Sequence, residues 1–407
     1  MPTQSRFRTF LAFPVGLLIS MSGCANKPDT TPQGSQPRST ATGTPIVIGE
    51  YGSTTGLTST FGLSTDHGIE MAVDAINASG GINGHPLKVD LKDDEGKPDE
   101  ALSVVRLLIS QDNVTAILGE VASKSSIAAA PECNSKMVPM ISPSSTNVKV
   151  TQVGPYIFRA CFIDPFQGTA AAKFVMNDLH LKNVAIMTDA ANDYSTGLTS
   201  AFEKNYTILG GHIVLTQSYT AGDVDFKAQL LAIKAKNPDL LYVPGYYGDV
   251  GPMARQAREI GLTIPMMGGD GWDSPKLVEG AGGPGQALEG SYFTDHYAVS
   301  NPDPAGKKFV ETYKLEYHED PDALAAMGYD AVGVLADAIK RTGTPANGDF
   351  ASKQYRSKLR DAIATTKNFQ GVTGNITIGP DRNAIKPLVV LQIHGKDFNF
   401  VSRVNPD

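Results

Sequence analysis

A chain of 407 residues with a 41% hydrophobic share is long enough to bury the cores of two ordinary domains. Its formal net charge of −7 is mild, and Lys and Arg form no cluster. Nucleic acid is thereby excluded as a partner, because neutralising phosphates takes concentrated basic side chains.

The chain opens with Arg6 and Arg8, an apolar run from Phe10 to Ile19, and then Met21-Ser22-Gly23-Cys24. The run is too short to span a bilayer and Pro14 interrupts it, so residues 1–24 read as an export signal. Small residues just before a lone cysteine resemble the lipobox of bacterial lipoproteins, in which that cysteine carries the lipid. Cys24 is therefore the expected lipidation site and the start of the mature chain, held at the periplasmic or outer cell surface. Residues 25–44 are Thr, Pro, Gln, Ser and Gly with little apolar content, a composition that predicts a disordered tether.

From Pro45 a short apolar strand, Ile46-Val47-Ile48-Gly49-Glu50-Tyr51, leads into a loop of small residues from Gly52 to Gly62. Ile69, Ala72, Val73 and Ile76 then recur at helical spacing and stop at Gly80-Gly81. Leu87, Val89 and Leu91 alternate as in a strand. The rhythm continues: a helix through Ala101, Val104, Val105 and Leu108, a strand Thr115–Leu118, a helix Ser123–Asn134, and a strand Val138–Ile141. An extended stretch Tyr156–Cys161 precedes a helix Phe166–His180 and a strand Val184–Met187. A helix from Thr196, a strand from Ile213, a helix from Phe226, a strand Leu240–Val243, a helix to Ile260 and a strand Ile264–Met267 follow. Strands separated by helical crossovers predict an α/β fold with parallel sheets covered on both faces. One sheet of this length would outgrow a single core, so two doubly wound lobes are expected.

Gly80-Gly81-Ile82-Asn83-Gly84, Asp93-Asp94-Glu95, Ile141-Ser142-Pro143-Ser144-Ser145-Thr146-Asn147, Phe158-Arg159 with Phe166-Gln167-Gly168, and Gly245-Tyr246-Tyr247 before Arg255-Gln256-Ala257-Arg258 occur in one order. Together they resemble the branched-chain amino-acid class of type I periplasmic binding proteins, over nearly the whole chain after Pro45. The resemblance implies two lobes joined by a three-crossover hinge, with 45–163 and 293–370 in one and 164–292 and 371–407 in the other. It implies a monomer that catalyses nothing, uses no cofactor and delivers an amino acid or close analogue to the permease and ATPase subunits of an ABC importer. A sensory lipoprotein using the same cleft, or a carrier of amides, urea or aromatic carboxylates, remains open.

Ligands of open α/β sheets bind beyond the carboxyl ends of strands, where helix N-termini offer free N–H groups to anions. Two such corners are Gly119-Glu120-Val121-Ala122-Ser123 and Ser144-Ser145-Thr146. The resemblance implies that the Ser123 hydroxyl, the Ser145 backbone and the Thr146 hydroxyl bind a ligand α-carboxylate. Taken alone, Ser123 reads more readily as a cap of its own helix than as a ligand. Across the cleft the resemblance puts Asp270 against an ammonium group, with Phe61, Tyr194 and one of Tyr246 and Tyr247 clamping the carbon skeleton and Trp272 shortening the pocket.

Gly280-Ala281-Gly282-Gly283-Pro284-Gly285 satisfies GxGxxG, but no strand precedes it and a proline lies inside it, which excludes a dinucleotide fingerprint. The histidines are scattered, so no metal is expected. Export would permit a Cys133–Cys161 disulfide, and the spacing leaves bond and free thiols equally open.

Overall fold

The computed structural model describes residues 41–300 and 304–406; the signal segment and Cys24 lie outside them. The end of the expected tether is not loose. Gly43 N–H donates to the Gly84 carbonyl (2.9 Å) and Thr44 O meets His85 Nδ1 (2.8 Å), so the folded body includes the residues just before Pro45.

The first half runs β1 (Ile46–Gly52), α1 (Ser59–Ala78), β2 (Leu87–Asp93), α2 (Pro98–Ser110), β3 (Ala116–Leu118), α3 (Ser123–Ser135), β4 (Met140–Ser142), α4 (Lys149–Gln152) and β5 (Ile157–Arg159). Its five strands form a parallel sheet in the order β2-β1-β3-β4-β5. Residues alternate between faces: Ile46 and Ile48 pack into one core, while Val47 packs against the other, which holds Tyr51 and Ile117. The switch point lies between β1 and β3, where α1 and α3 depart to opposite faces.

The second half comprises α5 (Asp164–Lys173) with a π turn at Phe174–Asp178, β6 (Asn183–Asp189), α6 (Asp193–Ile208), β7 (His212–Tyr219), α7 (Lys227–Lys234), β8 (Leu240–Tyr242), α8 (Tyr247–Glu259) and β9 (Met266–Gly268). A 3₁₀ turn at Asp270–Trp272, α9 (Pro275–Gly280) and β10 (Tyr292–Asp295) complete this run. α10 (Pro304–Tyr317), α11 (Ala323–Thr342), α12 (Lys353–Ala364), β11 (Phe369–Gly371), β12 (Gly374–Ile378) and β13 (Ala384–Ile385) return to the first lobe. β14 (Leu388–His394) and β15 (Asp397–Val404) rejoin the second.

The second sheet has the order β15-β14-β10-β9-β8-β6-β7, with its switch point between β6 and β8. It is not wholly parallel: β14 runs antiparallel to β10, and β15 to β14. The expected lobe limits shift accordingly. A cut at 293 would divide β10, which the second sheet keeps whole, and the stretch after 371 stays with the first core through Ile376, Ile378 and Ala384. The chain therefore crosses after β5, after β10 and between β13 and β14. Asp330 secures the returning β11–β12 turn by accepting from Val372 N–H (2.7 Å), Thr373 N–H (2.9 Å) and Thr373 Oγ1 (2.6 Å).

Cys133 and Cys161 are buried free thiols in the cores on opposite faces of the first sheet. Where α1 crosses α11, Gly68 leaves no room for a side chain, since a Cβ there would lie 1.9 Å from the Ala325 carbonyl oxygen. Gly68→Val is expected to separate the two helices and lower unfolding free energy by about 2–3 kcal/mol, read from denaturant titration of the purified protein.

Candidate functional site

The carboxyl ends of both sheets face a shared, narrow cavity. Its walls are Phe61, Val121, Ser123, Ser144 and Leu324 from the first lobe and Tyr194, Tyr246, Asp270 and Gly271 from the second. All but Leu324, which lies at the start of α11, follow a strand end: Phe61 follows β1, Val121 and Ser123 β3, and Ser144 β4. Tyr194 follows β6, Tyr246 β8 and Asp270 β9.

Ser123 is the first residue of α3, whose N-cap is Ala122 with no side-chain cap bond. It therefore does not cap its helix. Its hydroxyl accepts from Asn147 N–H (3.2 Å), and its own N–H meets the Tyr246 hydroxyl from across the cleft. The N-terminus of α3 thus lies at the cavity wall, where the helix dipole favours negative charge.

The neighbouring corner departs from expectation. Ser145 is fully buried: its N–H is taken by Ser142 Oγ (2.9 Å), and its hydroxyl serves the carbonyls of Glu120 (2.8 Å) and Val121 (2.9 Å). Its backbone is therefore unavailable for a ligand carboxylate. Thr146 lies beside the Asp164 carboxyl and outside the cavity lining. Ser144 faces the cavity instead, with a buried hydroxyl that has no partner. Turn geometry after β4 decides which of two adjacent serines faces inward, and residue type cannot distinguish them.

On the opposite wall Asp270 Oδ1 accepts from Gln167 Nε2 (2.7 Å) and the Tyr194 hydroxyl (3.0 Å), and Oδ2 lies 3.2 Å from His296 Nε2. Gly271 N–H donates to the same Tyr194 hydroxyl (3.1 Å). A side chain at Gly271 would collide with the Gly245 carbonyl at 2.8 Å, so glycine lets the turn close here. Tyr194 stacks on Tyr246 (centroids 5.1 Å apart, 6° between planes), and Phe61 meets Tyr246 edge-on at 5.6 Å. Tyr246 lines the cavity, whereas Tyr247 lies outside the lining and accepts from Thr60 N–H (3.3 Å). Trp272 is likewise not a wall: its fully buried indole donates to the Val243 carbonyl (3.0 Å) within the second core.

Leu324, Gln167 and His296 complete the site without having been singled out for it. Gln167 stood in the Phe166-Gln167-Gly168 motif, whereas nothing in the chain marked Leu324 or His296. Among the described residues no cluster could hold a metal ion, and no helix is long and apolar enough to cross a membrane.

Residues 45–397 match the family model described as periplasmic binding protein. The chain belongs to that family. It is similar to an amino acid binding protein of Pseudomonas aeruginosa, 35% identical over 73% of this chain and 79% of the relative. Among solved structures it resembles a leucine binding protein from Thermotoga maritima (TM-score 0.82, 39% identity, 89% of this chain and 99% of that one). It also resembles the branched-chain amino acid transporter substrate binding protein of Streptococcus pneumoniae in complex with isoleucine (TM-score 0.81, 33% identity, 89% and 99%). As a periplasmic binding protein it holds solutes outside the cytoplasm and is not an enzyme.

Buried carboxyls concentrate where this binding protein's lobes meet. Burial raises Asp164 to about 7 against opposing hydrogen bonds, and raises Asp273 to about 7 with the Asp322 charge adding to it. A carboxyl raised on folding binds its proton more tightly in the native state. Its contribution is then complete below pH ~4 and is lost as pH rises through about 7. Asp164→Asn should therefore melt higher than the wild type at pH 8, by on the order of a few kcal/mol, and alike at pH 4; thermal denaturation across pH checks this.

Proposed function

We propose that this protein is the extracytoplasmic solute-binding lipoprotein of an ABC importer and captures an amino acid, branched-chain or otherwise apolar or aromatic, or a close analogue. One observation carries the reading: a single small cavity has a helix N-terminus with two serines at one wall and an aspartate at the other. The first suits a carboxylate and the second an ammonium, which is the charge pattern of a zwitterion. Phe61, Tyr194 and Tyr246 lie between them as the apolar wall. The relatives' names, each naming an amino acid or leucine, support the same ligand class.

In this reading the ligand first meets the first lobe at Ser123 and Ser144. Hinge closure at the three crossovers then brings Tyr194, Tyr246 and Asp270 over it. Ligand preference for the closed form shifts the population toward the shape that permease and ATPase subunits engage. The monomer would be tethered by lipid on Cys24 through residues 25–44. No bond is made or broken in the cycle.

A thermal-shift panel of amino acids and simple carboxylates on protein lacking residues 1–24 tests this. Ligand at about a hundred times its dissociation constant adds about 2.7 kcal/mol of stability. Asp270→Asn is expected to weaken amino-acid binding by about 1.5–3 kcal/mol in calorimetry, the range for a hydrogen bond to a charged group. No shift with any amino acid, or an unchanged affinity in the variant, contradicts the reading.

A further inference from the structure

Gln167 and His296 do not line the cavity, yet both side chains end on Asp270. Both are buried, at 0% and 2% exposure. Gln167 stands in the first turn of α5, just past the first crossover, and its Nε2 also lies 3.5 Å from the Thr294 carbonyl of β10. His296 follows β10 at the second crossover, with its ring against Phe162 (centroids 3.9 Å apart) and its backbone N–H on Asp295 Oδ1 (2.7 Å). The titratable groups around that ring are Asp270 from the 3₁₀ turn, Asp295 beside it and Lys386 from the third crossover.

A carboxylate offers about four acceptor positions. Gln167, Tyr194 and His296 occupy three of those on Asp270 and fix its plane, leaving one direction for a further donor from the cavity. A carboxylate held this way needs no reordering when a ligand arrives.

We propose that Gln167 and His296 are positioning residues that set the ligand class, holding the remaining Asp270 acceptor toward the cavity so that the site selects an ammonium-bearing solute over its deaminated counterpart. The proposal rests on the amino-acid reading and deepens it. A purely structural role would weaken all ligands together, whereas a positioning role weakens only those that carry the ammonium group.

The test compares leucine with 4-methylpentanoate, which shares its skeleton and carboxylate but lacks the amine, by calorimetry on the full folded chain. Q167L and H296L are each expected to lower leucine affinity about tenfold and leave 4-methylpentanoate within about twofold. H296Q, which keeps an N–H at similar reach, should retain the wild-type preference within about threefold. The preference is a ratio measured within each folded variant, and H296Q supplies the readout if a leucine substitution does not fold. Wild-type protein that prefers leucine, with Q167L and H296L retaining that preference, overturns the clamp and leaves the amino-acid reading standing. H296Q losing as much preference as H296L also overturns it. Wild-type protein that binds 4-methylpentanoate as well as leucine overturns both.

Discussion

The site exists only because two separately built sheets present their strand ends to one another and are held there by mixed apolar and polar contact. Phe61, Val121 and Leu324 belong to the first lobe yet pack with the second lobe's core residues. Around them, Thr60 Oγ1 meets Ser274 Oγ (3.0 Å), Asp273 Oδ2 accepts from Ala323 N–H (2.6 Å) and Asn147 Nδ2 donates to the Asp193 carbonyl (2.6 Å). The Lys149–Asp193 ion pair (2.7 Å) also crosses, but its lysine is 61% exposed, and such pairs contribute at most about 1 kcal/mol. Apolar burial and sheltered hydrogen bonds therefore dominate the closed arrangement. A ligand that fills the cavity adds to both.

The two walls differ in electrostatics. The first offers helix N–H groups and hydroxyls, and its buried Arg159 is turned inward to the carbonyls of Ser145 (2.5 Å) and Asn147 (2.7 Å). The second gathers Asp270, Asp273 and Asp295, and burial raises the carboxyls of the last two, most strongly for Asp295. Burial also holds the His296 imidazole below its usual range and lowers Lys386 to about 8.

Much of the fold was legible because β1, β6 and β8 are short, largely apolar runs buried on both faces, and the helices between them carry helical periodicity. The last third was not. β10 is four residues long, and it pairs antiparallel with β14, which lies far along the chain, so local pattern could not place the lobe limits. At the site, strand ends pointed to loops that meet, since Phe61, Ser123, Tyr194, Tyr246 and Asp270 surround one cavity. Within a loop, however, the side that a residue faces depends on backbone turns. That is why Ser144 rather than Ser145 lines the cavity, why Thr146 lies beside Asp164 and why Trp272 belongs to the core. His296 carried no signal because its role arises only when the second crossover brings it to Asp270.

Small-angle scattering of the purified protein, with and without a saturating amino acid identified by its thermal shift, tests the shared-cavity account most directly. Closure of two lobes over one ligand requires the radius of gyration to fall on binding and the scattering curve to approach that of the compact arrangement described here. A curve that stays unchanged while calorimetry shows the ligand bound would contradict it.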